Sequence, residues 1–259
     1  MITLSACIEM TFREEPDFVA RIDRAADAGL KAIEFWGHSG KNLDAIVERV
    51  QARGLAVSST VVEFSQLGDP TGHGKYVESV RAACAAAHKL GCTRVITCVG
   101  NDIDGMPRAE QAGNILAALK KGAPIAADEG IVLCLEPLNI LVDHGGYFLW
   151  SSLEAFEMVA EVDSPGLKLL FDIYHQQISE GNLIANMTAN IDRIGHLHVA
   201  DVPGRHEPGS GEIDYENVFK ALIKAGYDGY AGLEYSPSTP TTPESLARTF
   251  VIRDRLGMK

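Results

Sequence analysis

Short apolar runs of strand length alternate with amphipathic segments of helix length along the whole chain. A short apolar run bounded by turn residues is typical of a buried strand, whereas apolar side chains at every third or fourth position are typical of a helix. These patterns predict eight strands, at residues 2–8, 31–37, 55–62, 93–100, 131–139, 167–175, 194–201 and 230–235. The runs are almost continuously apolar, as expected for parallel strands that are covered on both faces.

A helical segment follows each predicted strand. The predicted helices lie at residues 17–28, 42–53, 75–90, 107–128, 152–161, 183–190, 215–225 and 244–256. Asn42 is a candidate N-cap for the second helix, and Gly29, Gly54 and Gly91 stand where the first three helices should end.

Eight strand–helix units with short connections and no change of composition predict an α/β fold, a single (β/α)8 TIM barrel. We expect it to span residues 1–259 as one domain. An open, doubly wound sheet is the alternative fold. In either fold, binding groups should lie at the carboxyl ends of the parallel strands.

Acidic or imidazole side chains stand at the ends of four successive predicted strands. Glu136 lies near the end of the fifth strand, Asp172 in the sixth, His198 in the seventh and Glu234 in the eighth. Packing explains such residues poorly, because polar groups are costly to bury unpaired. Three carboxylates at one rim of a barrel repel one another unless a cation lies between them. We therefore predict a metal site made of these four residues.

Three carboxylates and one imidazole suit Mn²⁺, Mg²⁺ or Co²⁺, with Zn²⁺ as the alternative. Taken singly, each residue has a simpler interpretation. A lone Glu before Pro is usually a loop carboxylate, and a lone His in a strand is usually hydrogen-bonded in the core. The coincidence at four neighbouring strand ends favours the metal.

Other polar residues close to these strand ends are candidates for roles in the site. His175 can face the same pocket, and Arg205 lies in a glycine-rich loop, where a guanidinium can bind paired substrate oxygens. An ordinary loop role is the alternative for both. Asp201 is a candidate for orienting a histidine. Glu34 and Trp36 either line the pocket or serve the structure.

The formal net charge of −12 limits the classes of partner. An acidic protein repels nucleic acid and anionic membranes at long range, so neither is expected. No apolar run approaches the roughly 20 residues of a membrane span, and the first apolar run is interpreted as a strand, not a signal peptide. The five cysteines form no C-x-x-C pair, and we expect them reduced and buried in a cytoplasmic protein.

Four motifs resemble the hydroxypyruvate isomerase family, within the wider group of xylose isomerase-like barrels. They are LEPLN (135–139), FDIYHQQISEGNL (171–183), HLHVADVPGRHEPGSGEIDY (196–215) and GLEYSP (232–237). The resemblance covers the half from Ile131 to Pro237 in detail. It implies a single divalent metal ion and a reaction at carbons next to a carbonyl group.

The resemblance also implies roles for single residues. Glu136 and Glu234 would be metal ligands and the catalytic acid–base pair, and Asp172 and His198 would complete the metal sphere. The expected reaction is the isomerisation of a small α-hydroxy carbonyl compound through an enediolate, with hydroxypyruvate to tartronate semialdehyde as the first choice.

By the same resemblance, His175 and Arg205 would contact substrate oxygens. One position departs from the family's pattern, since hydroxypyruvate isomerases commonly carry Gln where this chain has His198. Histidine there is more similar to the ketose 3-epimerases of the same superfamily. A ketose 3-epimerase, or another sugar or keto-acid epimerase, is therefore the alternative function.

Three further functions compete with these. An inosose-type dehydratase would also use a metal and an enolate. An endonuclease on this barrel would need several zinc ions and a basic groove, against the charge of −12. A non-catalytic sugar sensor would not need both glutamates at ligand positions. Tyr147, Phe148 and Trp150 are expected to be exposed, which leaves open a covered pocket or a homo-oligomer contact.

Overall fold

The computed structural model describes residues 1–259. It contains nine strand segments, which are β1 (Thr3–Cys7), β2 (Ala32–Glu34), β3 (Ala56–Val57), β4 (Thr60–Val61), β5 (Arg94–Thr97), β6 (Val132–Leu135), β7 (Leu167–Asp172), β8 (Ile194–Val199) and β9 (Tyr230–Leu233). They form one parallel sheet in the order β3-β2-β1-β9-β8-β7-β6-β5-β4. The two outermost segments, β3 and β4, are separated only by Ser58 and Ser59. They are halves of one interrupted strand, and the sheet curls into a nearly closed barrel.

Nine α-helices lie between and after the strands. They are α1 (Ala20–Asp27), α2 (Leu43–Ala52), α3 (His73–Leu90), α4 (Arg108–Asp128), α5 (Ser152–Val162), α6 (Ile173–Ser179), α7 (Leu183–Ala189), α8 (Tyr215–Lys224) and α9 (Thr242–Leu256). This alternation around a curled parallel sheet confirms the predicted TIM barrel, and the doubly wound sheet is wrong.

Capping residues explain several helix boundaries. The Asn42 side chain accepts a hydrogen bond from the Ala45 N–H at the start of α2, as predicted. Ser151 caps α5 in the same way. Gly91 ends α3 in the left-handed conformation, with φ at 70°, which glycine adopts at little cost.

The sixth strand is shorter than predicted. β7 ends at Asp172, and α6 begins at Ile173, so the prediction of one strand over 167–175 is wrong beyond Asp172. The Asp172 side chain caps α6 by accepting a hydrogen bond from the His175 N–H at 3.0 Å. The fifth strand likewise ends at Leu135, short of the predicted residue 139.

The apolar core lies mainly outside the barrel, between strands and helices. Within the barrel, Ile96, Cys134 and Leu170 form a small separate apolar cluster. Residues two apart in a strand share a face. Glu136 and Asp172 therefore follow Cys134 and Leu170 on the inner face, one layer higher. The polar side chains of the site therefore lie directly above this small apolar cluster inside the barrel.

All five cysteines are free, and four are buried, whereas Cys98 is partly exposed. None of the helices is both long enough and apolar enough to cross a membrane.

Candidate metal centre and active site

The four predicted metal ligands come together at the carboxyl end of the barrel. Asp172 is the last residue of β7, His198 lies in β8, and Glu136 and Glu234 directly follow β6 and β9. These four strands are consecutive in the sheet. All four residues are buried, and one ligand atom from each lies within 4.8 Å of the others. The geometry can therefore hold a metal ion.

His198 points into the middle of the three carboxylates. Its Nδ1 lies 3.4 Å from Glu136 Oε1, 3.3 Å from Glu234 Oε2 and 4.0 Å from Asp172 Oδ2. This nitrogen is buried and has no hydrogen-bond partner. A buried nitrogen that faces only acceptors needs either a proton or a cation beside it.

The pKa shifts reflect this excess of negative charge. Burial opposes protonation of His198, but Glu234 and Glu34 outweigh it and raise the pKa of His198 well above its usual value. Burial raises the pKa of Asp172. Glu234 is also buried, yet His198 and Arg205 hold its pKa below the usual range. A cation at the centre would relieve the repulsion among these carboxylates.

Two further donors hold Glu234. The Trp36 Nε1–H donates to Glu234 Oε1 at 2.7 Å, and the Arg205 guanidinium pairs with Glu234 Oε2. The same guanidinium lies 3.7 Å from Asp172 Oδ2. Trp36 and Arg205 thus fix the Glu234 carboxylate on one side of the cluster.

His175 is held as a neutral hydrogen-bond donor. The Asn139 Oδ1 accepts from the N–H groups of Val142 and Asp143, so its Nδ2 must be the amide atom that donates to His175 Nδ1 at 2.6 Å. Because Nδ1 accepts, Nε2 carries the proton. Burial, with the charge of Arg205, lowers the pKa of His175 to about 3.

A cavity of about 330 Å³ opens beside the cluster. Its lining consists of Met10, Trp36, Val61, Ile96, Cys98, Glu136, Leu138, His144, His175, His198, Arg205 and Glu234. Polar and charged groups converge on an otherwise largely apolar wall, which is typical of a site for a small molecule. Five of the six predicted site residues line it, and the sixth, Asp172, pairs with Arg205 at its edge.

The loop after β8 carries Arg205, and Asp201 organises it. The Asp201 carboxylate accepts hydrogen bonds from four backbone N–H groups, those of Val202, Gly209, Gly211 and Ile213. The hypothesis that Asp201 orients a histidine is therefore wrong. Its role is to close the loop that places Arg205 over the cavity.

Glu34 lies on the opposite side of His198 from the carboxylate cluster. Its Oε1 is 3.0 Å from His198 Nε2, and its Oε2 is 2.8 Å from His196 Nε2. Glu34 does not line the cavity, whereas Trp36 does. Glu34 therefore lies inside the barrel and does not form part of the cavity wall.

The chemistry of the four side chains fits a divalent ion. Glu136, Asp172 and Glu234 supply oxygen donors, and His198 supplies a buried nitrogen without a partner. Such donors suit hard and borderline divalent ions. A dication together with the Arg205 guanidinium would neutralise the three carboxylates.

Comparison with known proteins gives the family. The model of the xylose isomerase-like TIM barrel family matches residues 22–252. The hydroxypyruvate isomerase of Escherichia coli (strain K12) is 32% identical, over 93% of this chain and 96% of that protein. The chain belongs to the hydroxypyruvate isomerase family of xylose isomerase-like TIM barrels. The resemblance predicted from the four motifs is thus confirmed.

Another relative in this family has a different substrate in its name. The 2-oxo-tetronate isomerase of Cupriavidus necator is 31% identical, over 93% of this chain and 95% of that protein. Both relatives are isomerases and match nearly the full length, and the present chain is an isomerase of the same family.

Solved structures share the barrel. A crystal structure of an AP endonuclease, family 2, from Brucella melitensis has a TM-score of 0.91 at 27% identity, over 97% of this chain and 99% of that chain. A D-allulose 3-epimerase from Methylomonas sp. has a TM-score of 0.78 at 24% identity, over 97% and 89%. At 24% identity, the similarity to the epimerase shows a shared fold alone.

Some members of the site could not be predicted from the sequence, and the exposure of others was predicted wrongly. Asn139 lies within the LEPLN motif, but no spacing shows that it reaches His175. Tyr147 and Phe148, expected to be exposed, are buried. The Tyr147 hydroxyl donates to the Glu136 carbonyl oxygen at 3.0 Å, so it supports the backbone of a candidate ligand. Trp150 is exposed, as expected.

Proposed function

We propose that the protein is a metal-dependent isomerase that converts hydroxypyruvate to tartronate semialdehyde through an enediolate. The observation that carries the proposal is the convergence of Glu136, Asp172, His198 and Glu234 beside one cavity. The name of the Escherichia coli relative supports this substrate. The 2-oxo-tetronate isomerase supports the wider class of small hydroxy-keto acids.

In this proposal the same four side chains hold one divalent ion, Mn²⁺ or Mg²⁺ in preference to Co²⁺ or Zn²⁺. When bound, the ion supplies Lewis-acid polarisation of the substrate carbonyl. Its positive charge would also reduce the repulsion among the three carboxylates around the imidazole. Arg205, released in part from Glu234, is free to turn towards the substrate.

The two glutamates would move the protons. Glu136 and Glu234 enter the site from β6 and β9, which flank the two strands that carry Asp172 and His198. One carboxylate removes a proton from C3 of hydroxypyruvate, and the other delivers one to C2. The hydroxyl proton passes from O3 to O2, so the reaction needs no electron acceptor.

His175 and Arg205 would bind the substrate. The Arg205 guanidinium can pair with the carboxylate of a keto acid in a bidentate manner. The His175 Nε2–H is buried at the cavity without a hydrogen-bond partner, and it can donate to a substrate oxygen. Together they would orient the carbon to be deprotonated towards a glutamate.

Epimerisation of a ketose is the second candidate, favoured by the imidazole of His198 within the cluster. In that reaction the proton would return to the same carbon on its opposite face. The same two glutamates would serve, and Arg205 would bind hydroxyl groups. The position of deuterium in the product distinguishes the two reactions.

The experiment combines proton NMR in D₂O with two variants. Dialysed protein reloaded with Mn²⁺ is incubated with hydroxypyruvate and, separately, with a panel of ketoses. The proposal predicts turnover of hydroxypyruvate with solvent deuterium in the product. Glu136→Gln and Glu234→Gln should each lower kcat by about 10²–10⁴-fold, because each removes one proton carrier.

Glu63→Gln is the matched control, because Glu63 contacts His38 and Ser39 outside the cavity. This variant should keep wild-type activity. Full activity in either Glu136→Gln or Glu234→Gln would refute the two-glutamate mechanism. Turnover of a ketose but not of hydroxypyruvate would replace the isomerase assignment with an epimerase.

A further inference from the structure

Glu34 is a buried carboxylate that the mechanism above does not use. It is the last residue of β2, and its side chain is 2% exposed. Its Oε2 accepts hydrogen bonds from Ser58 Oγ at 2.7 Å and Ser59 Oγ at 3.3 Å, and lies 2.8 Å from His196 Nε2. These donors leave Oε1 for His198.

The contact with His198 determines which imidazole nitrogen carries the proton. Glu34 Oε1 lies 3.0 Å from His198 Nε2, and neither atom has any other hydrogen-bond partner. If Nε2 were unprotonated, its lone pair would face a carboxylate oxygen at that distance, which is repulsive. In a neutral His198 the proton therefore belongs on Nε2, and the lone pair of Nδ1 points at the carboxylate cluster.

We infer that Glu34 is a positioning residue that fixes the orientation and tautomer of His198 so that Nδ1 can bind the divalent ion. The inference rests on the metal site of the proposed function. A carboxylate that accepts from the remote N–H of a metal-binding histidine raises the basicity of that histidine and fixes its ring. Glu34 therefore acts on the ion through His198 and does not contact the substrate cavity.

Gly232 in β9 makes this contact sterically feasible. A Cβ at Gly232 would lie 2.0 Å from Glu34 Oε1 and 2.6 Å from its Cδ, far inside van der Waals contact. Gly232 pairs with His198 across the two strands. Glycine at this position thus leaves the space through which the Glu34 carboxylate reaches His198 across the barrel.

Hydrogen bonds from several strands hold Glu34 in this position. Ser58 and Ser59 donate to its Oε2, which also lies 2.8 Å from His196 Nε2. Ser58, which donates to Glu34, also contacts Ser5 through its Oγ at 2.6 Å. The Glu34 carboxylate is therefore held by residues from β1, from the interrupted strand β3–β4 and from β8.

The test measures Mn²⁺ binding to the dialysed protein by calorimetry, for wild type, Glu34→Gln and Gly232→Ala. Both variants should bind Mn²⁺ more weakly, with a Kd about 10–100-fold higher than that of the wild type. Pulsed EPR of the Mn²⁺-loaded proteins should show ¹⁴N coupling from an imidazole in the wild type and a weaker signal in both variants. Thermal unfolding of the metal-free proteins is measured in parallel.

Gly195→Ala is the matched control, because its Cβ would meet Cys134 Sγ at 2.9 Å and Lys168 Cβ at 3.0 Å but not Glu34. It should lower stability without changing the Kd or the ¹⁴N coupling. If Glu34→Gln folds and binds Mn²⁺ like the wild type, the positioning role is refuted. If the wild type itself does not bind Mn²⁺, the metal site of the proposed function is refuted instead.

Discussion

Glu234 is held from several directions at once. The Trp36 indole N–H donates to its Oε1, the Arg205 guanidinium pairs with its Oε2, and the Cys7 thiol lies 3.9 Å from Oε1. His198 Nδ1 faces Oε2 at 3.3 Å. In the proposed mechanism Glu234 carries a proton and must be held in one orientation, so we expect the contact with Trp36 to affect catalysis.

Trp36→Phe should reduce turnover without unfolding the protein. The substitution keeps an aromatic ring at a partly exposed position but removes the donor to Glu234 Oε1. A hydrogen bond to a charged group contributes roughly 1.5–3 kcal/mol, so kcat/KM should fall about tenfold to a hundredfold. Steady-state kinetics with saturating Mn²⁺ measure this effect.

Trp150→Phe is the control for that measurement, because Trp150 is similarly exposed and does not line the cavity. It should leave kcat/KM unchanged. Equal losses in the two variants would show that the indole of Trp36 has no specific role.

At the scale of elements, the loop from Asp201 to Asp214 matters most for the site. Arg205 adopts a left-handed backbone conformation, with φ at 55°, which is uncommon for a residue with a side chain. Its carbonyl oxygen accepts from the Ser236 N–H at 3.0 Å, which ties the loop to the end of β9. The four N–H groups bound by Asp201 close the same loop at its base.

Asp201→Ala should loosen this loop and destabilise the protein. It leaves four backbone N–H groups without their acceptor, so we expect a loss of about 3 kcal/mol or more in the free energy of unfolding. KM should rise, because Arg205 is no longer held over the cavity. Urea unfolding and limited proteolysis between residues 202 and 213 provide the measurements.

Asp214→Ala is the matched control at the other end of the loop. Asp214 caps α8 by accepting from the Asn217 N–H, and losing such a cap costs about 1 kcal/mol. KM should stay at the wild-type value. An Asp201→Ala protein with unchanged KM and unchanged proteolysis would contradict the clamping role.

At the scale of the whole molecule, the core and the site are separate. The main apolar cluster packs strands against helices, whereas the candidate metal ligands stand on the inner face of the barrel above Ile96, Cys134 and Leu170. Burial of apolar surface drives folding. The barrel should therefore fold without a metal, and the ion should add stability only through binding.

Removal and return of the metal test this separation. Dialysed protein should keep its circular dichroism spectrum and lose its activity. Mn²⁺ at about a hundred times its Kd should add about 2.7 kcal/mol to the free energy of unfolding. That corresponds to a rise in Tm of roughly 5–10 °C for a chain of this size.

Glu136→Gln serves as the control for this shift, since it keeps the shape of the side chain and removes one negative ligand. Its Tm should respond less to Mn²⁺. An unchanged Tm of the wild type over the full range of Mn²⁺ concentrations would exclude tight binding at the cluster.

Part of the local structure could not be predicted from periodicity. The run Leu167–His175 is apolar enough to be interpreted as one strand, but the Asp172 side chain caps α6 and ends β7. That choice depends on a single hydrogen bond to a backbone N–H, which an apolar pattern does not encode. The interruption of the third strand at Ser58 and Ser59 was also not predicted.

The sequence by itself determined the barrel and the four candidate ligands. The length and apolar periodicity of each segment specify whether it is a strand or a helix and which face is buried. Parallel strands then bring their carboxyl ends to one rim of the barrel. Glu136, Asp172, His198 and Glu234 could therefore be named before any coordinates.

Only the tertiary structure decided what supports those ligands. Glu34 reaches His198 across 164 positions of sequence, and Asn139 reaches His175 across 36. Whether a side chain donates, accepts or merely packs depends on distances between segments that are remote in the chain. Periodicity within each segment carries no information about those distances. The contacts of Glu34, Gly232, Asn139 and Asp201 could therefore be identified only from the tertiary structure.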